Sequence, residues 1–256
     1  MTFEELAWGA FLYRLITNYD SPYQKLFAQT TLLTKLRKDP NTVSPDEFKD
    51  SVISFLNEWG GRHIRKDTEV AEILLKGLNS LQDKFQSLSN NTLVTISLEH
   101  RGELVQEVFD YLRWISWENR GPFRNVTVHL GATFASKLAH IMNPSLFVMW
   151  DDAIAAHFWT NKMIESFWDY TGFLKLMQEE ARLVISDFRA LVGSEDPALF
   201  LSGKLGYSVP KSLPKFLDEY NWLRSQRNLD VVRPPEWLLR LSRHETRRLL
   251  NETGYV

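Results

Sequence analysis

Two residues in the middle of the chain are of types that do covalent chemistry when brought together: Lys137, in Gly131-Ala-Thr-Phe-Ala-Ser-Lys137-Leu-Ala139, and Asp151, in Val148-Met-Trp-Asp151-Asp-Ala-Ile154. A lysine amine held in a partly desolvated cleft loses its proton more readily and becomes a nucleophile. A carboxylate beside it can stabilise positive charge developing on a sugar ring, or orient an attacking water or amine. Between them lie the turn residues Asn143-Pro144 and an apolar run. Asp151 precedes the helically spaced Ile154, Ala155 and Phe158, which is where an N-cap stands. Backbone N–H groups and the positive helix end would keep it ionised there. Asp152, the neighbouring carboxylate, falls about 100° further round the helix, so Asp151 is preferred.

The elements that must position this pair read as helices nearly throughout. Leu6, Phe11, Leu12 and Leu15 recur at helical spacing, then Leu26 to Leu36, ending before Pro40. Ser44-Pro45-Asp46-Glu47 is a helix start, with a capping serine, proline in the first turn and acids at the positive end. That helix stops at Gly60-Gly61. Residues 67–88 predict one long amphipathic helix and 103–117 another, ended by Gly121-Pro122. Leu93 to Leu98 alternates as a short strand would. Helices are expected around Lys137, from Asp151 to Trp159, over 163–192 as the longest, and from Ser212 through Trp222. Two more would start at Pro234-Pro235 and His244, and 193–210 reads as an irregular connection. The expectation is an all-α chain, residues 1–256 forming one compact unit of ten or more helices, with no internal repeat or linker.

Composition narrows the chemistry. Of 256 residues, 44% are hydrophobic and 24% charged, which suits a soluble globule with a large core. There is no cysteine, which excludes disulfides, thiolate zinc sites and iron–sulfur clusters. The first residues lack the basic region of a signal peptide, and no apolar run reaches the roughly 20 residues of a membrane helix. A cytoplasmic protein without a membrane partner is expected. The six histidines show no metal-ligand spacing, and there is no phosphate loop or dinucleotide fingerprint, so neither metal nor cofactor is expected.

The segment around Lys137 and Asp151 resembles the catalytic segment of the helix-hairpin-helix DNA glycosylase superfamily. The shared features are a hairpin glycine (Gly131), Lys-x-Ala at a helix start (Lys137 to Ala139), and an apolar segment ending in Asp-x-x-Ile (Asp151 to Ile154). The resemblance covers residues 125–160. It departs from the common pattern in having one glycine rather than Gly-x-Gly, a short spacer between the lysine and the aspartate, and no cluster cysteines. It is nearest the 8-oxoguanine branch. The resemblance implies a two-lobed helical fold with the site in the cleft between the lobes. It implies Lys137 attacking the anomeric carbon to form a Schiff base, with optional strand cleavage, and Asp151 as essential for base excision. The partner would be double-stranded DNA carrying an oxidised, otherwise damaged or hypermodified base, and the enzyme a monomer.

A flipped base needs aromatic walls, for which Trp150, Phe158, Phe216 and Trp222 are the expected residues, although core packing would use the same types. Phosphates would meet Arg62, Arg65 and Lys66 in the glycine loop at 60–66, Arg120 and Arg124, and the backbone at Gly131. From Lys211 onward nine Lys/Arg face six acids, in a chain of net charge −2, a polarity that suits a DNA-facing surface as well as a solvated one. The overall charge itself is on the acidic side. The alternative is a non-catalytic helical module that binds DNA or protein on a glycosylase-like scaffold.

Overall fold

The computed structural model describes residues 1–17, 20–59, 64–120, 125–193 and 196–227. The helices expected from Pro234 and His244 lie outside these, as do Gly60, Gly61, Gly121 and Pro122. Among the described residues the chain is all-α apart from one two-stranded hairpin. In order it forms α1 (Phe3–Ile16), α2 (Asp20–Phe27), α3 (Thr30–Lys38), α4 (Pro45–Phe48), α5 (Ser54–Trp59), α6 (Thr68–Ser80), α7 (Gln82–Leu88) and α8 (Leu98–Trp114). The hairpin, β1 (Ser116–Arg120) and β2 (Asn125–His129), follows, and then α9 (Ala132–Met142), α10 (Asp152–Thr160), α11 (Tyr170–Leu191), α12 (Pro197–Lys204) and α13 (Leu213–Arg227).

Local signals set several helix ends. Ser44 accepts a hydrogen bond from the Glu47 amide and Pro45 occupies the first turn, as expected. Between α4 and α5 the helix loosens into a π-turn, Lys49–Ile53. Asp169 caps α11 through the Gly172 amide at 2.8 Å, which starts the longest helix seven residues later than periodicity suggests.

Four expectations are corrected. Residues 67–88 form two helices, because the chain bends at Leu81. Leu93–Leu98 is not a strand: Thr92 and Thr95 close a turn on each other, and α8 begins at Leu98. α8 stops at Trp114, and residues 116–129 pair antiparallel, with Trp117 opposite Val128. Within 193–210 Asp196 caps a further helix, α12, through the amides of Ala198 and Leu199.

The core runs through an aromatic cluster beside α9 and α10. Phe109 of α8 stacks on Tyr170 of α11 with centroids 4.4 Å apart, and meets Trp150 edge-on at 5.7 Å. Trp150 in turn contacts Phe173, and Phe158 of α10 contacts Phe173 at 5.3 Å. Such pairs add to the burial energy of the rings themselves. The cluster ties α8, α10 and α11 to Trp150, the residue before Asp151. Phe109→Ala should therefore destabilise the protein by about 3–5 kcal/mol, measured as a shift in urea midpoint.

Candidate functional site

Lys137 and Asp151 are brought together from opposite sides of the Asn143-Pro144 turn. Asp151 is the N-cap of α10, its Oδ1 accepting from the Ile154 amide at 2.8 Å. Lys137 faces inward from α9 and is only 5% exposed. Its amine lies over the Phe134 ring, 5.6 Å from the centroid. Asp151 is part-exposed, so solvent reaches the pair from its side.

The segment that sets their separation is pinned by hydrogen bonds. Asn143 donates to the carbonyls of Leu88 (2.9 Å) and Asn91 (3.1 Å). His140 Nδ1 bonds the Phe147 carbonyl at 2.7 Å, and its Nε2 meets the Tyr23 hydroxyl at 3.3 Å. The Tyr170 hydroxyl donates to the Val148 carbonyl at 2.6 Å. Ser136, next to Lys137, accepts from the Trp150 amide at 3.1 Å and lies 3.0 Å from the Trp150 carbonyl. One buried hydroxyl thus links the residue before the lysine to the residue before the aspartate.

Burial lowers the Lys137 amine to about 8, opposed by the carboxylates of Asp218 and Asp151 and aided by the Lys215 cation. Burial also raises Asp151, while the Ile154 amide and Lys137 pull it back. His140 is pushed down to about 3 by burial, so it is neutral at physiological pH and serves the backbone.

A third contributor comes from α13, which packs on α10. Lys215 is fully buried and pairs with Asp218 at 2.8 Å and Glu219 at 3.0 Å. Lys211 pairs with Glu219 at 2.6 Å and with Asp20. Burial raises Asp218 to about 6, against the pull of Lys215. Burial alone would lower Lys215, but Asp218 and Glu219 outweigh it and hold the amine above its ordinary value. The sequence reading missed this cluster. Its signal was Lys215, Asp218 and Glu219 at i, i+3 and i+4 on one helix face, embedded among Phe216, Leu217 and Tyr220.

The other expected site residues fall elsewhere. Trp150, Phe158 and Phe216 are core, their rings covered by neighbours, and cannot wall an open pocket as placed. Trp222 is part-exposed and edge-on to Tyr13 at 5.6 Å. Arg65 is held by Asp67, by Glu69 at 2.5 Å and by the Glu118 carbonyl at 3.1 Å, while Lys66 lies 3.8 Å from Asp50. Their charge is matched locally rather than presented to phosphates. The Gly131 amide is taken by the Arg113 carbonyl at 3.1 Å, so it cannot bond a phosphate. Gly131 instead serves by its φ of +79°, a backbone region that favours glycine, where the hairpin turns into α9. Lys211 and Lys215, expected on a positive surface, point inward. Arg62 and Arg124 and the side chain of Arg120 lie outside the described residues. A groove of about 830 Å³ between α6 and α8, lined by residues including Lys76, Tyr111 and Trp114, shares no residue with the pair.

Among the described residues no group of His, Asp and Glu could hold a metal ion, and no helix is long and apolar enough to cross a membrane. Compared with family models, curated proteins and solved structures, the chain matches none of them.

Two outcomes are expected. Ser136→Ala should cost about 1–3 kcal/mol by leaving the buried Trp150 amide unpaired, read by chemical denaturation. Lys137→Met should stabilise the protein by about 3 kcal/mol at pH 7, because the native state disfavours the lysine proton that the unfolded chain keeps. Below pH 8 both states of the wild type are protonated and it carries the whole penalty. As pH rises from about 8 towards the ordinary lysine value, only the unfolded chain holds the proton, so the wild type gains stability and the gap closes. A pH series of denaturation curves reads this directly.

Proposed function

We propose that the protein is a DNA glycosylase that excises a damaged or modified base, with Lys137 as nucleophile and Asp151 as its electrostatic partner. The observation that carries the reading is the buried Lys137 amine, lowered to about 8 beside the helix-capping carboxylate of Asp151. An exposed surface lysine has no need of such a setting. At pH 7 roughly a tenth of the amine is neutral and able to attack.

In this mechanism the base leaves as Lys137 Nζ bonds to C1′ of the sugar. The C1′–N bond breaks and its electron pair departs with the base. Positive charge on the ring is met by Asp151, whose cap bond holds an oxygen in a fixed direction. Loss of a proton from Nζ and opening of the sugar give a Schiff base, from which elimination of the 3′ phosphate would nick the strand. The reading carries with it a two-lobed arrangement with the pair in the cleft, double-stranded DNA as partner, a monomer, and no cofactor. The base itself would have to be bound by side chains other than Trp150 and Phe158 as they stand here.

A second reading is a non-catalytic helical module that binds DNA or protein, and the local pairing of Arg65 and Lys66 with carboxylates favours its protein-binding form. It predicts binding indifferent to Asp151→Asn.

The test is incubation with duplexes carrying single oxidised, alkylated, deaminated or hypermodified bases, followed by borohydride. Reduction should trap a protein–DNA adduct that is absent in Lys137→Gln. The rate should rise with pH through about 8 and then level. Asp151→Asn should slow base release by about 100-fold or more. Base release without trapping would leave Asp151 and remove Lys137 from the chemistry. No release from any duplex would sink the enzyme reading.

A further inference from the structure

Three linked tryptophans stand about half out of the protein: Trp114 at 59%, Trp159 at 49% and Trp168 at 41% exposure. The Arg113 guanidinium lies 5.1 Å from the rings of both Trp114 and Trp168. Phe167 meets Trp168 edge-on at 4.6 Å and Trp159 at 6.1 Å. Tyr111, one turn before Trp114 on α8, is exposed as well. Large exposed apolar patches mark interaction sites, and Trp, Tyr and Arg are the residues that most often anchor protein interfaces. The row is also held in place. Arg113 donates to Asp110 Oδ1 at 2.7 Å. Gln106 donates to the other Asp110 oxygen at 3.1 Å and to the Trp168 carbonyl at 3.0 Å, and accepts from the Thr171 amide at 3.1 Å. Little freedom is left for these groups to lose on binding.

Two grooves adjoin the row, and Asp110 borders both. The groove of about 830 Å³ between α6 and α8 is lined by Ile73, Leu81 and Ile115 together with Tyr111 and Trp114. Its two carboxylates are already taken, Glu107 by Lys84 and Asp110 by Arg113, so it suits an apolar side chain. The second groove, of about 760 Å³, runs between α8 and the start of α11 and includes Trp168. Five carboxylates line it against two cations, Arg113 and Lys175. Of these, Glu99, Glu103 and Glu165 are exposed and make no ion pair among the described residues. Unpaired carboxylates beside an aromatic ring attract a cation and repel a phosphate. We infer that this face binds a peptide segment of a partner protein, with an apolar side chain in the first groove and Arg or Lys side chains in the second. Neither groove contains Lys137 or Asp151, so this inference and the glycosylase reading can each fail without the other.

The test starts from a phage-displayed library of random linear peptides, selected on the whole immobilised protein. Enriched sequences should combine Arg or Lys with Leu, Phe or Trp. A synthetic peptide of the enriched sequence, followed by fluorescence anisotropy, should bind more weakly as salt rises. Trp114→Ala and Trp168→Ala should each weaken it by about 10-fold or more. Glu103→Lys and Glu165→Lys should weaken it and flatten the salt dependence. Glu58→Lys, on α5 and outside both grooves, should change neither. If a tryptophan variant does not fold, the two charge reversals, both at exposed positions, decide. No enrichment, an acidic enriched sequence, or binding that survives these substitutions overturns the inference. Two further results do so by naming another occupant. One is a single-stranded DNA oligonucleotide that displaces the peptide and is itself weakened by Trp168→Ala. The other is a wild-type dimer in sedimentation that Trp114→Ala turns into monomer.

Discussion

Taking an ammonium out of water costs several kcal/mol unless anions meet it. Lys137 feels the charge of two carboxylates, Asp218 and Asp151, yet burial still prevails and its amine stays low. A group held in this unfavourable state persists only if the surroundings leave it no alternative. α9 supplies the inward direction, the Phe134 ring shields one side of the amine, and the charges of Asp218 and Lys215 on α13 act on it. Lys215, the nearby cation, has the opposite fate. Its two carboxylate partners outweigh burial and keep it protonated. Two buried lysines thus differ in proton affinity not by depth or by the number of their anions but by the direct ion pairs that only Lys215 is seen to make, at 2.8 and 3.0 Å.

The fixed geometry around the pair depends on backbone groups that side chains satisfy one by one. Residues 143–150 belong to no helix or strand, so their amides and carbonyls need other partners. The Asn143 Oδ1 accepts from the Ser145 amide, and His140, Tyr170 and Ser136 supply partners further along. Neutral His140 matters here: a protonated ring in this core would demand a counter-ion, whereas the neutral one bonds both the Phe147 carbonyl and the Tyr23 hydroxyl. The aromatic cluster of Phe109, Trp150, Tyr170 and Phe173 then removes the freedom that remains. Asp151 emerges from this pinned segment directly into its cap position.

What could be read from the sequence was what depends on near neighbours in the chain. The Ser44-Pro45 helix start and the Asp151 cap are decided within three or four residues, and both are found where the local pattern puts them. The β1–β2 hairpin was hidden because the apolar spacing of α8 runs on past Trp114, and only pairing between residues 116–120 and 125–129 reveals that it has ended. α12 was hidden by the glycines around it, although Asp196-Pro197 is a start signal of the same kind as Ser44-Pro45. The inward turn of Lys211 and Lys215 was least legible. A lysine count cannot distinguish a solvated face from a buried cluster, since the deciding partners, Asp20 and the interior of α1 and α2, are far away in sequence. Trp150 and Phe158 failed as pocket walls for the same reason: their covering rings, Phe109 and Phe173, come from α8 and α11.

Stability alone does not account for the charges on α13. A buried ion pair can often be replaced by apolar side chains of similar size with no loss, and sometimes with a gain. Phe216, Leu217 and Leu223 on the same helix show that α13 packs well with such residues. Glu219 keeps an oxygen without a partner among the described residues, which is a cost that a leucine would not incur. What an apolar helix could not provide is an anion able to change protonation near neutral pH. Asp218 does so because burial raises it while Lys215 keeps it from rising further. Lys215 is paired in its turn with Glu219, and Glu219 with Lys211, which reaches Asp20, so the cluster extends outward from one carboxylate.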